Sequence, residues 1–253
     1  MPLTTAHRAR AFTLIEMLVV IGIIVLIASI AVPMAMRAQQ KAKDTRVALD
    51  LQAIGVALEA YQKDHGMYPE VLAGAVGADV LGAALIGPGP ATGAGMDGKD
   101  GPGWRVLAGG KAYGPYLQPD RYTLLGSQII DQSSGQPILY YPASATKSNI
   151  AVAGGYIAVN AGLIRPLYDY ADNGALATTP PPGMPIADMQ KLMGDLDGDG
   201  AIVAPEKAAF DGPYILWTAG RDKAFGLDAD PDPTLRQTDD IANLEFDVQL
   251  LKR

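Results

Sequence analysis

The acidic residues near position 200 are spaced as in a loop that wraps around a single cation. Counted from the first aspartate, carboxylates stand at loop positions 1, 3, 5 and 12, a glycine at position 6 and a backbone carbonyl at position 7. In that order the residues are Asp195, Asp197, Asp199, Glu206, Gly200 and Ala201. A hard cation such as Ca²⁺ takes about six to eight oxygen ligands, and the glycine permits the sharp turn that gathers them. The spacing therefore predicts a calcium loop.

The calcium loop, residues 195–206, follows the EF-hand pattern with two departures. Val203 at position 9 has no side-chain oxygen, so a water would fill that place, and Pro205 at position 11 is unusual there. A solvated acidic turn is the alternative interpretation. Because no second loop of this kind is clear in the sequence, a stabilising role is favoured over a sensor role.

A second candidate is Glu16, the single carboxylate near the start of a long uncharged run. The 20 residues from Met17 to Met36 would form a helix about 30 Å long, which matches a bilayer core. A carboxylate at membrane depth costs about 2.5–3.5 kcal/mol on insertion scales, so it indicates a functional group that needs a partner. We therefore expect the chain to contact a membrane and Glu16 to pair with an amine.

The residues before the apolar run have the positive charge of an export leader, and two processing routes are open. Cleavage after Ala31 would remove the apolar run and release a soluble product that begins at Val32. Cleavage between Ala11 and Phe12 would instead keep the apolar helix and give it a free N-terminal amine.

The sequence Arg-Ala-Phe-Thr-Leu-Ile-Glu-Met-Leu-Val-Val at residues 10–20 resembles the leader junction of type IV pilins and type II secretion pseudopilins. The resemblance implies that a prepilin peptidase cuts between Ala11 and Phe12 and methylates the new N-terminus, although Ala11 stands where the family usually has glycine. Glu16 follows Phe12 by four residues and therefore lies on the same helix face. Its partner would be the Phe12 amine of its own chain or, in a filament, that of a neighbouring subunit.

The helical pattern continues beyond the apolar run to about His65. Apolar residues recur at spacings of four, three, four and three, while charged residues mostly occupy the other faces, as in a helix that packs on a globular domain. The apolar stripe consists of Val47, Leu51, Ile54, Leu58 and Tyr61. Gly66 and Pro69 should end the helix. Pro33 predicts a bend or local melting.

The remainder of the chain is rich in turn formers, since 29 Gly and 19 Pro occur among the 253 residues. Strand patterns occur at 137–141, 156–159, 214–218 and 244–250, and the last alternates strictly. We therefore expect an α+β, pilin-like fold in which a long N-terminal helix packs on a small antiparallel sheet with loop insertions. The expected parts are a leader at 1–11, a transmembrane assembly half at 12–36, an amphipathic half at 37–65 and an extracytoplasmic domain at 66–253.

Shorter segments from the end of the helix onward resemble the major pseudopilin, in the same order along the chain. They are residues 61–69, 114–117, 131–141, 214–226 and 239–241. The last two resemble the calcium-binding C-terminal loop of that family. The resemblance implies a second metal site at Asp222, Asp239 and Asp240, although the insertion at 227–238 breaks the family spacing.

Composition argues against several other functions. The chain has no cysteine and only two histidines, one of them in the leader, so no thiol chemistry, His-centred triad or zinc site can be assembled. The net charge is −7, and without Arg8 and Arg10 the 18 basic and 27 acidic residues that remain give −9, a poor match for nucleic acid. The basic residues at 37–46 follow the apolar run directly, where anionic headgroups or acidic neighbours are reasonable contacts.

The sequence thus predicts a structural, non-enzymatic subunit of a type II secretion pseudopilus that binds Ca²⁺. Its expected partners are copies of itself or minor pseudopilins, prepilin peptidase and an inner-membrane assembly platform, with no nucleic acid. It is expected to cross the inner membrane once, with the large domain outside the cytoplasm. The alternatives are a type IV pilin or minor pilin for adhesion or DNA uptake, and a secreted calcium-stabilised binding domain or hydrolase with a cleavable signal.

Overall fold

A computed structural model describes the protein at residues 14–72, 74–87, 104–105, 112–143, 156–158, 167–177, 185–198, 205–206, 210, 212–226 and 241–243. The chain divides into two compact units whose boundary falls between Thr45 and Arg46.

Of the first unit, Met1–Thr45, the structure describes the N-terminal part of helix α1, which as a whole spans Leu14–His65. Every large apolar side chain from Leu14 to Met36 is exposed, with exposed fractions between 41% and 83%. The hydroxyls of this part bond within the helix, since Ser29 Oγ donates to the Leu26 carbonyl at 2.7 Å and Thr45 Oγ1 to that of Lys41 at 2.8 Å. The uncovered apolar side chains are suited to lipid or to other apolar helices.

The helix runs through Pro33 without interruption, so the predicted local melting is wrong. Proline removes one backbone hydrogen bond and crowds the preceding turn. In a helix of 52 residues the intact turns on both sides hold that position in helical geometry.

The C-terminal part of α1 belongs to the second unit and carries the predicted apolar stripe. All five of its predicted members are buried. The helix ends at His65, as predicted, because Gly66 adopts a left-handed conformation with φ +80° and its N–H donates to the Gln62 carbonyl at 2.7 Å. The amphipathic interpretation of this segment is therefore confirmed.

Nine short strands are assigned among the described residues. They are β1 Trp104–Arg105, β2 Ala112–Tyr113, β3 Thr123–Leu125, β4 Gln128–Ile130, β5 Leu139–Pro142, β6 Tyr156–Ala158, β7 Leu167–Asp169, β8 Tyr214–Thr218 and β9 Ile241–Ala242. Strands β1 and β2, β3 and β4, and β6 and β7 form antiparallel pairs, and the central antiparallel sheet has the order β5-β8-β9. This arrangement confirms the expected α+β fold with a small antiparallel sheet.

The central sheet is buried on both faces. One face, with Tyr140 and Leu216, packs against α1 and against helix α2, Gly77–Ile86. The opposite face, with Tyr141 and Trp217, packs against a cluster that includes Met189 and Met193. Because side chains alternate along a strand, consecutive residues of β5 and β8 serve different cores.

Helix α2 lies so close to neighbouring backbone that two of its residues have no room for a side chain. A Cβ on Gly77 would overlap the carbonyl oxygen of Tyr140, and one on Gly82 would overlap that of Ser127. Asn173 fixes the start of the helix, since its Oδ1 accepts from Ala78 N at 2.9 Å and its Nδ2 donates to the Tyr140 carbonyl at 2.8 Å. Glycine is thus required at both positions.

The strand predictions agree with the structure where it describes the chain. The prediction at 214–218 coincides with β8, that at 156–159 is one residue longer than β6, and that at 137–141 overlaps β5. Pro137 forms only an isolated bridge with Ile130, which suits a residue without an N–H donor. The predicted strand at 244–250 lies outside the described residues.

Candidate metal centre

The acidic loop at residues 195–206, which is predicted to bind calcium, begins where helix α3, Ile186–Met193, ends. Gly194 closes the helix in a left-handed conformation with φ +109°, and the N–H of Asp195 donates to the Gln190 carbonyl at 2.9 Å. Met189 and Met193 anchor the same helix in the core below the sheet. Asp195 is consequently held in place and fully buried at the first position of the loop.

Three of the predicted ligands converge in space. One carboxylate oxygen each from Asp195, Asp197 and Glu206 lies within 4.8 Å of the other two. Positions 1, 3 and 12 of the loop thus meet, as the spacing predicts. Three acidic groups at such distances repel one another, and a bound cation would relieve that repulsion. The cluster can therefore hold a metal ion.

The Glu206 carboxylate has hydrogen-bond donors at only one of its two oxygens in the described part of the chain. Its Oε1 accepts from the backbone N–H groups of Leu196 at 2.6 Å and Asp197 at 3.2 Å. Its Oε2 is buried, and no group in the described part of the chain donates a hydrogen bond to it. A buried carboxylate oxygen that lacks a donor is unfavourable unless a cation supplies the missing charge.

The backbone contacts of the loop were not foreseen from the sequence. The N–H groups that orient Glu206 belong to the main chain, as does the Gly198 N–H, which donates to Asp195 Oδ1 at 2.7 Å. Main-chain donors are present at every residue except proline, so the residue types give no signal for them. The other predicted ligands, Asp199 and Ala201, lie outside the described residues.

The second predicted metal site is not assembled in the part of the chain that the structure describes. Asp222 is exposed, and its Oδ1 accepts from Ala224 N at 2.9 Å in a tight turn where Lys223 has φ +66°. Asp239 and Asp240 lie outside the described residues. The site therefore remains a prediction.

Glu16 lies in the first turn of α1, where its side chain is exposed beside the apolar run. In the part of the chain that the structure describes, α1 is long and apolar enough to cross a membrane. Its most apolar stretch has a mean hydropathy of 2.9, and none of that stretch is buried. Ala11 and Phe12, the predicted cleavage and methylation residues, lie outside the described residues.

Comparison with known proteins places these features in context. Residues 6–32 match the family described as the prokaryotic N-terminal methylation motif. The chain is 43% identical over 63 residues to the type II secretion system core protein G of Klebsiella pneumoniae. The aligned region covers 25% of this chain and 45% of the relative. This chain is also 40% identical over 68 residues to core protein G of Pseudomonas aeruginosa. That aligned region covers 27% of this chain and 48% of the relative.

A pilus protein is similarly close. The chain is 40% identical over 62 residues to the type IV wide pilus major component PilA4 of Thermus thermophilus, covering 24% of this chain and 47% of the relative. No solved structure gives a significant match. The chain spans just under half the length of these curated relatives.

The predicted resemblance is thus confirmed by a motif that covers the start of the apolar helix and by relatives of both pseudopilin and pilus type. The matched motif contains the predicted cleavage junction and Glu16. The chain therefore carries the prokaryotic N-terminal methylation motif, in a segment that is similar to type II secretion system core proteins G and to a type IV wide pilus component.

Proposed function

We propose that this protein is a structural subunit of a type II secretion pseudopilus, the filament that supports protein secretion across the outer membrane. The observation that carries the proposal is the methylation motif at residues 6–32, which leads into a helix whose apolar side chains from Leu14 to Met36 are all exposed. Such a surface needs lipid or other apolar helices around it. A filament core supplies the second environment after the membrane has supplied the first.

Maturation would create the amine with which Glu16 is proposed to pair. We infer that prepilin peptidase cuts between Ala11 and Phe12 and methylates the amine of Phe12. The amine and the carboxylate then lie one helical turn apart within a chain, or adjacent between two chains that are offset along the filament. Removal of the leader also takes away Arg8 and Arg10 and leaves the chain more acidic.

We further propose that the mature chain crosses the inner membrane once, with the second unit on the extracytoplasmic side. The length and hydropathy of α1 support a single span, and the calcium loop supports an environment in which calcium is abundant. The partners would be copies of the chain or minor pseudopilins and an inner-membrane assembly platform. The role is structural, in keeping with relatives named as core protein and pilus component.

The metal loop would stabilise the second unit by binding Ca²⁺ through Asp195, Asp197, Asp199, Ala201 and Glu206. The buried, donor-less Oε2 of Glu206 supports this assignment. A ligand that binds only the native state adds about 2.7 kcal/mol when it is present at about 100 times its Kd. Calcium would therefore protect the second unit against thermal unfolding.

We predict that a chelator lowers the melting temperature of the wild-type protein and that added Ca²⁺ restores it. Glu206→Gln removes one ligand charge and should reduce or abolish this calcium-dependent shift, measured by calorimetry or by Trp217 fluorescence. The exposed Glu70 provides the matched control, Glu70→Gln, which should retain the full shift. Equal melting temperatures of the wild type with and without calcium would contradict a structural metal site.

The similarity to a type IV wide pilus component favours one alternative, a pilin that serves adhesion or DNA uptake. Deletion of the gene in its host separates the two systems. A secretion role predicts that exported enzymes accumulate in the periplasm while surface pili remain. Loss of surface pili with normal enzyme secretion would instead support the pilin. Complementation with the intact gene is the control for both outcomes.

A further inference from the structure

A groove of about 350 Å³ lies on the surface of the second unit between α1 and the central sheet. Leu51 and Leu216 line its apolar part, and Tyr214 and Asn243 lie on the sheet side. The groove exists partly because residue 55 is glycine, since a Cβ there would lie 3.0 Å from the Tyr214 hydroxyl. Its volume is roughly ten times the ~30 Å³ that one water occupies, so side chains can enter it.

The groove carries one charged side chain, Glu59, among its described lining residues. None of the described basic residues forms an ion pair with it. The Glu59 carboxylate lies close enough to Tyr214 to influence it. The pKa of the Tyr214 hydroxyl is raised to about 12, mainly by burial and to a smaller extent by Tyr68 and by the Glu59 carboxylate. A basic side chain beside this exposed carboxylate would be attracted to it.

Beside the groove, the Asn243 side chain occupies backbone groups of β8, so a further strand cannot pair with β8 there. Asn243 Oδ1 accepts from Leu216 N at 2.8 Å, and Asn243 Nδ2 donates to the Tyr214 carbonyl at 3.1 Å. These are backbone groups that an added strand would use to pair with β8 at this end. The features that remain for recognition are the apolar floor and the Glu59 carboxylate.

The first part of α1 presents a complementary face. Met34, Ala38 and Lys41 are all exposed and follow one another at i, i+4 and i+7, so they share one side of the helix. On the rim of the groove, Gln52, Val56 and Glu59 are also exposed and have the same spacing. Lys41 forms no ion pair in the part of the chain that the structure describes.

We propose that the groove receives the α1 segment Met34–Lys43 of a second copy of this chain, with Lys41 of that copy paired to Glu59. The inference rests on the proposed filament, because subunits anchored in one membrane point the same way and their helices run parallel. In parallel helices the matched spacing brings residue 38 against residue 56 wherever residue 41 meets residue 59. This contact needs an axial offset of 18 residues (59 − 41), about 27 Å at 1.5 Å per residue. It therefore joins a different pair of subunits in the filament from the pair that would join Glu16 to the Phe12 amine.

Cysteine cross-linking in assembled filaments tests this register. Because the chain has no cysteine of its own, cross-links can form only between the introduced cysteines. In the variant Ala38→Cys/Val56→Cys, oxidation should produce a ladder of covalent multimers, with at least tenfold more product than either single variant. The control is Gln40→Cys/Val56→Cys, since residue 40 lies on a different side of the helix from residue 38. It should assemble without a ladder.

A charge exchange provides the second measurement. Glu59→Lys and Lys41→Glu should each reduce filament yield, and the combined variant should recover it. Normal filaments of the double-cysteine variant without a ladder, or equal ladders in the variant and its control, would overturn the register. A second copy can enter only an open groove, so protection of Val56→Cys from maleimide before assembly would also overturn the proposal. Absence of wild-type filaments would count against the proposed function itself.

Discussion

Replacement of Glu16 by Ala is expected to abolish filament assembly while membrane insertion stays intact. The carboxylate costs about 2.5–3.5 kcal/mol at membrane depth, so its removal makes insertion easier. The same change deletes the proposed partner of the Phe12 amine in the filament. Removal of one partner of a buried ion pair costs about 3–5 kcal/mol. Because about 1.4 kcal/mol corresponds to a tenfold change in an equilibrium, filament yield should fall by about 100-fold or more.

The measurement compares filaments sheared from cells with the membrane fraction of the same cells. Asp44→Ala is the matched control, because it removes an acidic residue from the same helix beyond the apolar run. The control should assemble like the wild type. A normal filament yield from Glu16→Ala would contradict the pairing mechanism. Loss of the Glu16→Ala protein from the membrane fraction would contradict the prediction that the substitution affects assembly and not membrane insertion.

Replacement of Gly82 by Ala is expected to destabilise the second unit severely. Helix α2 packs directly on the turn between β3 and β4, and the new Cβ would overlap the Ser127 carbonyl oxygen. Main chain cannot move aside as a flexible side chain can, so the cost should exceed the ~1 kcal/mol that alanine gains over glycine in a helix. We expect a net loss of about 3 kcal/mol, or about 6–12 °C in melting temperature for a domain of this size.

Gly174→Ala is the matched control for this substitution. Gly174 has φ −51°, and among the described residues a Cβ there would meet only the Tyr170 ring, at 3.9 Å, an ordinary van der Waals contact. Its melting temperature should equal or exceed that of the wild type. A Gly82→Ala protein as stable as this control would show that α2 can move away from the β3–β4 turn.

The elements that the sequence predicted best are those whose burial is periodic. The stripe from Val47 to Tyr61 repeats at helical spacing because one side of α1 contacts the core. Strand β8 was recognised from a short apolar run rich in β-branched and aromatic residues, which suits a strand buried on both faces. Gly66 marked the helix end because a left-handed residue is needed there.

Helix α2 was missed for a physical reason. Its sequence, GADVLGAALI, is small and apolar on most sides, because both the sheet and the β3–β4 turn approach it closely. Such a segment has little amphipathic contrast, and the glycines that permit close packing count against a helix in propensity. The Val76 N-cap makes no side-chain hydrogen bond, so no capping signal compensated.

The metal loop was predicted in part. Ligand spacing correctly brought Asp195, Asp197 and Glu206 together, because a loop of twelve residues can return to its start only in a few ways. The donors that hold Glu206 in place came from the main chain and left no trace in the residue types. The burial of Asp195 depends on the anchoring of α3 by Met189 and Met193, which is a tertiary contact.

The N-terminal residue of the protein purified from its host membrane tests the account most directly. Edman sequencing together with the intact mass should give a chain that begins at Phe12 with a methylated amine and retains the whole apolar helix. Expression of the protein in cells that lack prepilin peptidase should leave the leader in place and prevent filament formation. A mature protein that begins at Val32 would show that the apolar run is a disposable signal, and it would contradict the filament subunit proposed here.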